Sequence, residues 1–212
     1  MDFGISQQLD VQKILVPVDG LEDETFRALI DILGKYIEKN DYVRIHLFTR
    51  EADYDKEARI LEQVRLCLKS SGLSEKWGEI QSRGISENAL DNMGDMEARF
   101  LVEQCVDELS VSKCMREQRI LVDMRPVPAL YLQILAISMG IPQIVCQKTQ
   151  FINDGRNGLI LRDIAQLEKA LEYYLDGLSN WNDAMVYSFE LSKKYASDGL
   201  IGKWKEVIDF VG

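Results

Sequence analysis

The chain has 212 residues, a formal net charge of −10 and a sequence pI near 4.7. Such acidity repels phosphate backbones and anionic lipid, which argues against nucleic-acid binding and against a helix lying on a membrane surface. No apolar run approaches the ~20 residues of a transmembrane segment, and the opening Met-Asp-Phe-Gly-Ile-Ser has neither the basic region nor the apolar core of a signal peptide. A cytoplasmic protein is therefore expected.

Taken in chain order, the pattern alternates strand and helix. Lys13–Val18 is a short apolar run and reads as a buried strand, with Asp19-Gly20 as the turn after it. Phe26, Leu29, Ile30, Leu33 and Ile37 recur at helical spacing behind a candidate N-cap at Asp23. Val43–Phe48 reads as a second strand and Asp55–Ser70 as a second helix. Residues 71–98, with four glycines among charged residues, carry the weakest pattern; a strand is expected near Gly78–Ser82, then a loop or short helix. Arg99–Val106 reads as a strand, Asp107–Gln118 as a short helix and Arg119–Asp123 as a strand. Val127–Met139 reads as an apolar helix stopped by Gly140, with Pro142 just beyond. Gln143–Cys146 and Leu159–Leu161 read as strands flanking an Asn153–Gly158 turn. Asp163 then caps a helix bearing Leu167, Leu171 and Tyr174, with Gln166 placed to close a capping box. Helices over about Asn180–Tyr195 and Ile201–Phe210 complete the chain.

The expected fold is α/β, a Rossmann-like parallel sheet with helices on both faces. Residues 1–12 read as a leader or linker, 13–178 as the sheet domain and 179–212 as carboxyl-terminal helices packing on it or crossing from it. Ligands of such folds bind outside the carboxyl ends of the strands, so the loops at Asp19–Glu24, Asp123–Ala129 and Gln147–Ile152 matter most. The four cysteines, Cys67, Cys105, Cys114 and Cys146, lack Cys-x-x-Cys spacing, and His46 is the single histidine. That leaves too few recognisable ligands for zinc, so the cysteines read as reduced packing thiols and no metal or cofactor is expected. His46 alternates with Arg44 and Phe48 and reads as structural or solvent-facing.

The helix ending in Gly140-Ile141-Pro142, the Asn153-Asp154-Gly155-Arg156-Asn157-Gly158 turn with Leu159-Ile160-Leu161, and the long helix after them resemble the second domain of retaining GT-B glycosyltransferases. The resemblance implies a donor cleft in which cations hold a diphosphate, two glutamates eight positions apart contact sugar and ribose, and a glycine pair admits the phosphate. This chain departs at each place. The loop after the first strand, from Asp19 and Gly20 to Glu24, offers four carboxylates and no cation. Like charges 4 Å apart repel by about 4 kcal/mol at an effective dielectric near 20. The glutamate positions fall on Val127 and Leu135, and the glycine pair is replaced around Lys148 and Thr149. Lys148 and Arg125 are the cations that could contact an anion there, although each reads first as a solvated loop side chain. The domain is thus expected to keep the fold with a degenerate donor cleft.

A second string is more distinctive. Arg119–Asp123, then Leu130-Tyr131-Leu132-Gln133 through Ala136-Ile137-Ser138 to Pro142-Gln143-Ile144, with Tyr173-Tyr174-Leu175 and Asn180-Trp181-Asn182, resembles the glycosyltransferase-like subunit family of the accessory Sec export system of Gram-positive bacteria. Family members are longer, and the chain resembles their carboxyl-terminal part. The resemblance implies a non-catalytic subunit working with accessory secretory proteins two and three and with the accessory Sec motor ATPase. The implied substrate is a serine-rich-repeat glycoprotein adhesin. An active retaining transferase with an atypical site is the alternative. Tyr131, Tyr174 and Trp181 read either as core packing or as a candidate partner or glycan surface.

Overall fold

A computed structural model describes residues 11–40, 42–51, 54–73, 81–83 and 99–196. The apolar runs become β1 (Gln12–Pro17), β2 (Val43–Thr49), β3 (Gln81–Arg83), β4 (Phe100–Gln104), β5 (Ile120–Asp123), β6 (Gln143–Val145) and β7 (Gly158–Ile160). They pair, all parallel, in the order β3-β4-β2-β1-β5-β6-β7. Without the short edge strand β3 this is the doubly wound order, and the strand order reverses between β1 and β5. Between the strands stand α1 (Asp23–Lys39), α2 (Tyr54–Ser70), α3 (Glu108–Arg116) and α4 (Leu130–Ser138), and α5 (Leu167–Leu175) and α6 (Leu178–Ala196) follow β7.

The strands read as continuous apolar runs because both faces are covered. On one face Ile14, Val16, Ile45 and Val102 pack against Leu29, Leu33 and Ile37 of α1, Val64 and Leu68 of α2, and Leu171 and Tyr174 of α5. On the other, Leu15, Phe48 and Leu121 pack against Val111 and Met115 of α3 and Leu132 and Ala136 of α4. Burial of each large aliphatic side chain contributes about 1.5–3 kcal/mol, so this two-sided core carries the stability. No helix among the described residues is long and apolar enough to cross a membrane.

Several element ends differ from expectation for local reasons. Glu22, not Asp23, occupies the N-cap of α1, and its side chain caps nothing. Val127 lies outside α4, which starts only at Leu130, after Pro126 and Pro128. Asp163 caps a single 3-10 turn, Ile164–Gln166, before α5; Gln166 Oε1 accepts from the Arg162 N–H instead of completing a box with Asp163. Asp107 does form a capping box, with Ser110. The expected strand at 78–82 survives as Gln81–Arg83 among the described residues, and the expected helix at 201–210 lies outside them.

The end of α4 needs its glycine twice over. Gly140 has φ +71°, and its N–H and that of Ile141 close a Schellman motif on Ile137 and Ala136. A Cβ there would also stand 2.8 Å from Met185 and Phe189, so α6 packs directly against this turn.

Candidate functional site

The reversal of strand order opens the cleft between the loops after β1 and β5, with the loops after β2 and β6 at its sides. Asp19 follows β1, and Gly20 makes the turn at φ +80°. The Asp19 carboxylate accepts from Thr49 Oγ1 at 2.6 Å, from the Arg50 N–H at 2.7 Å and from Lys56 Nζ at 2.8 Å. Partial burial pushes its pKa up, but the Lys56, Thr49 and Arg50 bonds outweigh that and hold it below the usual carboxylate value. Lys56 also meets Glu51 at 2.6 Å. The loop therefore does not present Asp19 as a bare charge: the carboxylate is turned onto the loop after β2 and ties the two together.

After β5, the backbone doubles back so that Arg125 grips Asp123 with two bonds, Nε to Oδ1 at 2.7 Å and Nη2 to Oδ2 at 2.6 Å. Both are buried, at 7% and 1% exposure. Burial pulls the guanidinium pKa down and the Asp123 partnership more than restores it. Arg125 is thus neither a solvated loop side chain nor a cation open to an anion: its fork is filled by a carboxylate two residues away. The Cys146 thiol donates to the Arg125 carbonyl at 3.4 Å and fixes the same loop to the end of β6.

Thr149 gives its hydroxyl hydrogen to Gln133 Oε1 at 2.7 Å, and Gln143 Nε2 donates to the Gln133 carbonyl at 3.0 Å. The loop after β6 is thereby pinned to α4, while Lys148 beside it is exposed. Tyr131, at the start of α4, is half-buried and lies 5.0 Å beneath the Arg50 guanidinium, which also reaches Glu108 at 3.3 Å. Burial raises the Tyr131 phenol pKa against the opposing pull of Arg50.

Val127 is 80% exposed, and Leu135, two turns on, is half-buried against the α3–α4 side of the core. Leu130 and Ile134 of α4 are exposed as well, as are Val106 and Leu109 where α3 begins. Because α3 and α4 pack on each other, one end of this layer presents an apolar rim beside the cleft.

Of the two readings left open for the aromatic candidates, Tyr174 and Trp181 take the core one. Tyr174 is 1% exposed in the core against the sheet, so burial drives its phenol pKa upward. Trp181 is 9% exposed, donates Nε1–H to the Arg119 carbonyl at 2.8 Å and carries the Arg119 guanidinium 3.5 Å from its ring centroid. Burial pulls that guanidinium down to about 10. Neither ring has a face to offer a glycan; Tyr173, next to Tyr174, is the exposed one.

Residues 1–210 match the family described as protein one of the accessory Sec system. The chain belongs to that family. Curated relatives of the same description are 36% identical in Staphylococcus aureus, over 97% of this chain, and 40% identical in Streptococcus gordonii, over 99% of it. The chain spans about two fifths of the length of these accessory Sec relatives, 38% and 40%. Among solved structures it resembles a glycosylation-associated protein complex of Streptococcus agalactiae, with TM-score 0.75 and 24% identity over 93% of this chain and 36% of that one. It also resembles accessory secretory proteins 1, 2 and 3 of Streptococcus pneumoniae, with TM-score 0.67 and 24% identity over 95% of this chain and 35% of that one. A pneumococcal O-GlcNAc transferase bound to UDP and GlcNAc has TM-score 0.60 at 12% identity, over 95% of this chain and 36% of that one. The fold is therefore that of a glycosyltransferase domain.

One set of chemistry-bearing residues escaped the sequence reading. His46, Glu103 and Cys114 come together beneath α3. Their separation along the chain hides them, although the period-2 alternation of β2 and β4 already put His46 and Glu103 on one face.

Proposed function

We propose that this chain is part of a non-catalytic, glycosyltransferase-like subunit of an accessory Sec export complex. It acts in the cytoplasm by binding proteins rather than by transferring sugar. Its partners are accessory secretory proteins two and three and the accessory Sec motor ATPase, and its cargo is a serine-rich-repeat glycoprotein. Kinship with the accessory Sec relatives supports the setting. The observation that carries the non-catalytic reading is the internal neutralisation of the cleft. Lys56 is bound to Asp19 and Glu51, Arg125 to Asp123, and Arg50 to Glu108 and the Tyr131 ring. To hold a donor diphosphate, these cations would first have to give up partners that already satisfy them. At the positions where the resemblance puts sugar- and ribose-binding carboxylates, Val127 and Leu135 have no hydrogen-bonding side-chain atom. The apolar rim of Val106, Leu109, Val127, Leu130 and Ile134 suits a protein surface better than a nucleotide.

Two measurements on the full-length subunit test this. In a thermal-shift titration, a donor at a hundred times its dissociation constant stabilises by about 2.7 kcal/mol. That is roughly 5–11 °C for 150–250 residues, and correspondingly about 2–4 °C for a full-length subunit two and a half times as long. The expected shift with UDP and its sugar conjugates is none. Co-purification with accessory secretory proteins two and three is expected. A clear nucleotide shift would restore the reading as an active transferase, with Lys148 on the phosphate, and a failure to co-purify would remove the export role.

A further inference from the structure

The layer between the sheet and α3 is apolar, built from Leu15, Phe48, Val111, Met115 and Leu121, except in one place. There His46 of β2, Glu103 of β4 and Cys114 of α3 each offer a metal-ligating atom, all within 4.8 Å of one another. The three are buried, at 1%, 9% and 7% exposure. His46 Nδ1 lies 2.9 Å from Glu103 Oε1 and 3.2 Å from Gln118 Nε2. Cys105, just beyond β4, is buried in the same layer as Cys114.

The placement follows from the secondary structure. His46 pairs with Leu101, and Phe48 with Glu103, in the β2–β4 register. Alternation then sends His46, Glu103 and Cys105 to the α3 face while Ile45, Leu47, Phe100 and Val102 enter the opposite core. On α3, Val111, Cys114 and Met115 share the inward stripe, and Gln118, two residues past its end, is buried as well. Packing alone does not account for a histidine, a carboxylate and two thiols gathered in this layer. The His46 ring turns Nδ1 to the cluster, so Nδ1 is the nitrogen placed to bind a metal.

We propose that His46, Glu103 and Cys114, with Cys105 as fourth ligand, form a structural zinc site that ties α3 to β2 and β4. Zinc–nitrogen and zinc–oxygen bonds of about 2.0–2.2 Å and zinc–sulfur bonds of about 2.3 Å set neighbouring donors roughly 3.3–3.8 Å apart in a tetrahedron. His46, Glu103 and Cys114, within 4.8 Å of one another, reach that by closing at most about 1–1.5 Å. One nitrogen, one oxygen and two sulfurs form a borderline-to-soft set that suits zinc, and the two thiols disfavour magnesium and calcium. Four protein ligands under a helix make a closed site, and such sites fill as the chain folds. On binding, the thiols lose their protons to solvent, and nothing is oxidised or reduced.

The test uses the full-length protein, refolded under reducing conditions with zinc sulfate, desalted and assayed for metal by plasma mass spectrometry. Cobalt(II) serves as the optical probe in a parallel sample. Wild type is expected to hold about one zinc more per chain than the Cys105→Ser/Cys114→Ser double variant. It should show thiolate-to-cobalt charge-transfer absorption that the double variant lacks. His46→Gln and Glu103→Gln should each weaken binding by about tenfold or more, and Cys67→Ser should leave it intact. Circular dichroism confirms that each variant is folded. Because a core variant can misfold, the thermal midpoint of wild type with and without zinc is a second readout, expected to rise with metal. Equal zinc in wild type and the double variant overturns the proposal, as does bound cobalt without thiolate absorption or a midpoint indifferent to zinc.

Discussion

Replacing Arg125 by methionine should cost the fold about 3–5 kcal/mol, the usual loss when one partner of a buried pair is removed. The structure supports the upper part of that range. Asp123 is 1% exposed and takes two of its bonds from the Arg125 side chain, at 2.7 and 2.6 Å. What remains after the substitution is a buried carboxylate with the backbone N–H of residue 125 at 3.2 Å. Unit charges about 4 Å apart at an effective dielectric of 20 interact by about 4 kcal/mol, the same size. At roughly 2–4 °C per kcal/mol for a chain of this length, the thermal midpoint should fall by about 6–20 °C. Urea unfolding gives the free energy directly. The double variant Asp123→Asn/Arg125→Met removes both charges and should recover most of the loss. If Arg125→Met costs less than about 1 kcal/mol, or the double variant is worse than either single one, the pair is not the internal clamp described above. Arg125 would then be available to a phosphate, and the nucleotide titration should be repeated on that variant.

Gly140→Ala should destabilise by about 1–2 kcal/mol for the left-handed backbone alone, and further because its Cβ would meet Met185 and Phe189 at 2.8 Å. Gly155→Ala has φ +75° but open space around it, so thermal unfolding should show the smaller loss there. Asp19→Asn tests the loop tie by pH. The Asp19 pKa is lowered in the fold, so its stabilisation is complete above the unfolded value and fades as pH falls through the folded one. Wild type should therefore exceed the variant at neutral pH and converge with it in acid, as read from urea midpoints across pH. Trp181→Leu should expose the Arg119 side chain and lower the thermal midpoint, because it removes both the Nε1 bond at 2.8 Å and the ring under the guanidinium.

The strands and helices were legible because each has a single period. Runs such as Ile14-Leu15-Val16 are apolar at every position, as a two-sided buried strand must be, and α1 repeats its apolar residues at 3–4 spacing. Element ends were less legible. Pro126 and Pro128 delay α4, and an extra 3-10 turn delays α5, neither of which disturbs the hydrophobic pattern. The cleft loops were legible as a place but not as a state. That Arg125 turns back on Asp123 depends on the backbone bend between them, which composition does not encode. Tyr174 and Trp181 stayed open between core and surface for a related reason: aromatic residues mark interfaces and cores alike, and only packing against the sheet separates the two. His46, Glu103 and Cys114 sit on three different elements, so no local motif announces them.

The strand order has a consequence for synthesis. β1 lies at the centre of the sheet, flanked by β2 and β5, yet β5 is made about 70 residues after β2. At roughly 5–20 residues per second, one side of β1 waits about 4–15 s on the ribosome without its neighbour. Over that interval, Ile14, Leu15 and Val16 present an unpaired apolar edge. The nascent chain is most vulnerable to aggregation in that window, and slower elongation before residue 120 would lengthen it.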